Sequence, residues 1–98
     1  MSTEQEEAVK RKLLDLISSV SSAVSGVSQP AVAYHLSTVL KDLTLQLTLA
    51  PEQRQISSIL DKLSEAELAS AVQSFHILDK VNEMKEIEKQ SRGGAASS

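Results

Sequence analysis

The chain has 98 residues, a net charge of −3, 41% hydrophobic residues and no cysteine. That length is one domain. The acidic balance speaks against a nucleic-acid partner, which calls for a basic face, and without cysteine there is neither a disulfide framework nor a thiolate metal site.

Tyr34 and Phe75 are the aromatic residues. The core must therefore be built of Leu, Val, Ile and Ala, which suits interdigitating helices better than a sandwich or a deep ligand pocket. Lys10-Arg11-Lys12 ahead of Leu13-Leu14 has the outline of an export signal. Asp15 interrupts its apolar region, however, and Glu4, Glu6 and Glu7 precede its basic cluster, both wrong for export. No run approaches the ~20 apolar residues that span a bilayer. The expectation is a soluble, cytoplasmic protein.

The first helix is expected over about 3–27. Thr3 and Glu6 can form a capping box, and Glu4, Glu6 and Glu7 complement the positive end of the helix dipole. Glu6 to Lys10 and Glu7 to Arg11 are favourable i,i+4 pairs. Val9, Leu13, Leu16, Val20, Ala23 and Val27 repeat at alternating spacings of four and three, the seam of a coiled coil or antiparallel bundle. Leu14, Ile17 and Val24 broaden it, while Ser18, Ser19, Ser21, Ser22, Ser25 and Ser28 take most of the other side. Serine is a mediocre helix former, so this helix is expected to depend on packing.

Gly26 to Pro30 is the first break, with Ser28 or Gln29 as the cap of a second helix over 30–49. So short a connection implies antiparallel neighbours. The second seam is Val32, Leu36, Val39, Leu43 and then Gln46 and Ala50. A conflict lies in Leu43 to Leu49, which alternates apolar and polar like a half-buried strand. The helix is the preferred reading, because no second strand is visible. A strand there would need a partner from another molecule, as in β-augmentation.

Pro51 follows a residue that its ring pushes out of the α region, and a short third helix is expected over 51–63 with Ile56, Ile59, Leu60 and Leu63 inward. Its phase would place Glu67 and Ser70 inward if carried on, so a kink or a full break is expected at Ser64. From there Ser64 and Glu67 read as a capping box opening a fourth helix over 64–90. Leu68, Ala71, Val72, Phe75, Leu78, Val81 and Met84 form its stripe, widened by Ile77 and Ile87. Lys85, Lys89 and Arg92 suit its negative end, and Gly93–Gly94 should stop it. The remaining 91–98 is expected to be a disordered Gly/Ala/Ser tail.

The expected fold is all-α: an antiparallel helical hairpin or four-helix bundle with coiled-coil-like seams and a long C-terminal helix, in one domain over 1–90. Its bundle seam is Val9, Leu13, Leu16, Val20, Val27, Leu36, Val39 and Leu43.

Chemistry is harder to find. His35 beside Tyr34, and His76 a turn from Asp79 and Lys80, are spacings that any amphipathic helix produces. There is no Gly-rich phosphate loop, no HExxH pair and no acidic calcium loop. No catalytic residue, no cofactor and no metal ligand is assigned. Residues 51–80 can be drawn as a helix–turn–helix, but Glu65 and Glu67 would meet phosphates and Lys80 comes four turns in, so nucleic acid is excluded as a partner. The serine-faced first helix has the composition of a weak membrane-surface binder, though Val and Ala dominate it from Val20 onward.

The remaining reading is a non-enzymatic protein–protein interaction module, an adaptor or small subunit of a homo- or hetero-oligomeric assembly. Its candidate partner interface is Leu68, Val72, Phe75, Leu78, Val81, Met84 and Ile87, with Phe75 as anchor. The alternative is a small chaperone sheathing a partner's amphipathic helix.

Overall fold

A computed structural model describes residues 3–50 and 53–97. Its described residues are helices and turns, and the fold is all-α. The order is α1 (Thr3–Gly26), α2 (Pro30–Gln46), α3 (Ile56–Leu63), a 3-10 turn (Ala66–Leu68), α4 (Ala69–Ser74) and α5 (Ile77–Ser97). None of these helices is long and apolar enough to cross a membrane.

Helix α1 lies between α2 and α5, and α3 leans on both α2 and α5 from the other side. Each contact follows from the seams. Leu13, Leu16, Val20 and Ala23 of α1 are fully buried with Leu36, Val39 and Leu43 of α2, while Val9 is buried and Val27 half-buried at the ends of the row. The serine side of α1 faces outward, with Ser18, Ser21, Ser22 and Ser25 exposed. Pro30 stands in the first turn of α2, where its missing N–H is no loss, and Gln29 is the cap residue.

The alternating stretch resolves as helix and then turns. Helix α2 ends at Gln46, and Leu47, Thr48 and Leu49 donate backbone bonds three residues back, to Thr44, Leu45 and Gln46. The hydroxyls of Thr44 and Thr48 also donate to the carbonyls of Leu40 and Leu45, at 2.8 Å each. Local bonds of this kind let a β-prone sequence close without a partner strand.

The starts of the third and fourth helices differ from expectation. Pro51 and Glu52, the expected start of the third helix, lie outside the described residues, as does the Thr3 side chain of the first capping box; α3 begins at Ile56. The second capping box does not form. Ser64 Oγ donates to the carbonyl of Leu60 at 3.1 Å, terminating α3, and the Glu67 carboxylate turns to His35. Ser64 is therefore a full break, and the 3-10 turn starts after an extended Glu65.

The expected long fourth helix is also divided, at a place with neither Gly nor Pro. His76 sits in the left-handed region, with φ of 59°, between α4 and α5. A left-handed L-residue costs about 1–2 kcal/mol. The break rotates the following helix so that Ile77, Val81 and Met84 are buried, while Leu78 stays 45% exposed. Full burial of an isoleucine is worth about 1.5–3 kcal/mol, enough to outweigh the strain. At its far end α5 passes Gly93–Gly94 and runs to Ser97 rather than stopping before a loose tail. Extending an existing helix requires no new nucleus.

Candidate functional site

Of the seven residues offered as a partner interface, Leu68, Val72, Val81 and Met84 are buried in the chain's own core. A partner could reach them only by displacing the helices that cover them. Phe75 and Ile87 are half-buried, and Leu78 keeps about half of its surface. Of the aliphatics that widen the stripes, Ile77 is fully covered and Ile17 half-buried; elsewhere Leu40 and Leu49 are half-buried and Leu45 is exposed.

The larger uncovered side chains are Leu14 at 53%, Leu45 at 53%, Leu78 at 45% and Tyr34 at 75%. Leu14 lies one residue past the buried seam, on the flank of α1 away from α5. That direction follows because Lys12 Nζ, on the opposite flank, donates to Glu83 Oε1 of α5 at 3.0 Å. Leu40 of α2 and Leu47, just past its end, are half-buried against the core. Ile17 stands one turn further along α1 from Leu14. Leu14 and Ile17 thus leave apolar surface on this side of α1.

A second feature is polar and joins three segments. Arg54, whose side chain is 4% exposed, grips Glu6 with both ends of its guanidinium, Nη1 to Oε1 at 3.0 Å and Nη2 to Oε2 at 2.9 Å. Its Nε donates at 3.0 Å to the carbonyl of Gln46, which also accepts the turn bond from the Leu49 N–H. The buried Gln46 side chain completes the cluster, its Oε1 accepting the backbone N–H of Gln55 at 2.8 Å and its Nε2 donating to the carbonyl of Asp42 at 3.2 Å. A buried charge with paired geometry and satisfied neighbours is a structural clamp.

A third feature brings His35 of α2 against the turn after α3. Its Nε2 lies 3.2 Å from Glu65 Oε1 and its Nδ1 lies 3.1 Å from Glu67 Oε1. Beside it a cleft of about 300 Å³ opens between the α1–α2 turn and α4, floored by Val27, Val32, Ala71 and Phe75 and rimmed by Ser28, Ser70, Ser74 and Glu67. His76, the other histidine, is exposed. The described residues contain no buried side-chain N or O without a hydrogen-bond partner.

Sequence spacing did not reveal the Arg54 and His35 clusters, because each is assembled from separate elements; Glu6 and Arg54 are 48 residues apart. A polar Gln46 at a seam position was the available signal.

Comparison with known families, curated proteins and solved structures gave no match.

Proposed function

We propose that the chain is a helical protein–protein interaction module, a small subunit or adaptor whose four helical layers, α1, α2, α3 with α4, and α5, pack as an antiparallel bundle with coiled-coil-like seams. The observation that carries this reading is Leu14 of α1, 53% exposed one turn from the half-buried Ile17, with Leu40 and Leu47 also incompletely covered. A partner helix laid along that side of α1 would bury Leu14 and Ile17, and burial of apolar area is the main drive of association. The reading assigns no reaction to the chain.

The deciding measurement is absolute mass in solution by light scattering across a range of concentrations, on the chain of 10.6 kDa and on Leu14→Lys. A mass that is a stable multiple of the chain, returning to one chain in the lysine variant with helicity unchanged, supports a self-associating module. An oligomer indifferent to Leu14→Lys overturns this side of α1 as the interface. A monomer at all concentrations removes self-association and leaves only a different protein as partner.

A further inference from the structure

We propose that His35 and Glu65 form a binding site for a borderline divalent cation of the zinc class, with Glu67 orienting the histidine. One nitrogen or oxygen from each of the three side chains lies within 4.8 Å of the others. The pairing inside that cluster is specific. Nε2 of His35 and Oε1 of Glu65 are 3.2 Å apart. Two ligand atoms at 2.0–2.1 Å from a tetrahedral zinc ion are separated by about 3.3 Å. The separation of the two atoms therefore matches that of two ligands on one such ion.

The second ring nitrogen is already provided for. A histidine that binds a metal through one nitrogen donates the other N–H to a carboxylate or carbonyl, which fixes ring orientation and tautomer. Glu67 Oε1, 3.1 Å from Nδ1, is in that position. The neutral imidazole then has one job for each nitrogen: the Nε2 lone pair faces the ion and Nδ1–H donates to Glu67.

The donor set selects the ion. One imidazole and one carboxylate suit zinc, nickel or copper, whereas magnesium and calcium prefer sites built of oxygen. The two carboxylates together balance the charge of a divalent ion. His35 is half-buried and held in mid-α2, while Glu65 and Glu67 are exposed on the turn after α3. Two coordination positions are left for water or for a group on another molecule. Because the ligands come from two elements, a bound ion would tie α2 to that turn and fix the rim of the cleft that Glu67 lines.

The test uses the full chain stripped with a chelator, titrated with zinc chloride and, in parallel, magnesium chloride. Binding is followed by calorimetry and by NMR of the two histidine rings, with exposed His76 as internal control. The expected result is a shift of the His35 ring before the His76 ring, a rise in melting temperature with zinc and none with magnesium. His35→Ala and Glu65→Gln should each weaken zinc binding by at least about tenfold, Glu67→Gln by about tenfold as an orienting residue, and His76→Ala not at all. Equal response of both rings, unchanged affinity in Glu65→Gln, or no binding at millimolar zinc would overturn the site and leave an ion-paired histidine. The ring measurement on the unaltered chain decides the matter even if His35→Ala fails to fold.

Discussion

The Phe75 ring lies directly over Gly26, so close that a β-carbon built on the glycine would come within 2.5 Å of the ring's Cζ and 2.8 Å of Cε1. The contact fastens the last turn of α1 to the end of α4. Gly26→Ala should meet opposed effects: relief of the glycine helix penalty, about 0.5–1 kcal/mol, against overpacking of a stiff ring, about 1–3 kcal/mol. Net destabilisation of about 1 kcal/mol is expected. In a Phe75→Leu background the same change should become neutral or stabilising. Chemical denaturation of the four-member cycle measures it, and additivity of the two changes would refute the contact.

Phe75→Ala alone tests the anchor. A fully buried phenylalanine would cost about 3–5 kcal/mol, but this ring is half-buried. A loss of about 2 kcal/mol is the expected outcome of the same denaturation experiment.

The clamp around Arg54 predicts an asymmetry. Glu6 retains 28% of its side-chain surface, whereas Arg54 retains 4%. Glu6→Ala strands a buried guanidinium, a loss of about 3–5 kcal/mol. Arg54→Met leaves a carboxylate that can turn to water, and an apolar chain in place of the arginine stem, so about 1–3 kcal/mol is expected. Urea midpoints of the two variants should fall in that order; the reverse order would show that the guanidinium is not held as described.

His76 should be improvable. Glycine relieves the left-handed strain of about 1–2 kcal/mol, at the expense of about 0.4–1 kcal/mol of extra freedom in the unfolded chain. His76→Gly is expected to raise stability by about 0.5–1 kcal/mol, and His76→Val to lower it. A fall on glycine substitution would mean that the imidazole makes a contact worth more than the strain.

The uncovered leucines make an opposite prediction. Leu45→Lys and Leu78→Lys should change thermal stability by no more than about 0.5 kcal/mol, as surface substitutions do, whereas Val81→Lys should unfold the chain. A melting temperature unmoved by Val81→Lys would contradict its 1% exposure.

Much of the fold was legible because its seams obey one period. The buried residues of α1 and α2 are those of the alternating spacing, with Gln46 included. The division of the expected fourth helix at His76 is not legible in the sequence, because the break carries no breaker residue. The stripe through Leu78 and the one through Ile77 are both good helical stripes, and packing against α1 chose between them. The candidate site was harder for a related reason. Arg54 and His35 each meet their partners across elements, and periodicity reports which face of a helix is apolar without saying which polar groups two faces bring together. The exposure of Leu14 was hidden in the same way, since a broad stripe does not tell how much of it a neighbour covers.

The grip of Arg54 on Glu6 also ties the first turns of α1 to the loop that follows α2. Terminal turns ordinarily fray, and their amides exchange with solvent almost freely. Here the opening turns of α1 cannot peel away without leaving the buried guanidinium of Arg54 unpaired. Amides near Glu6, Gln46 and Gln55 should exchange at a common rate, as one cooperative unit formed from segments far apart in the chain.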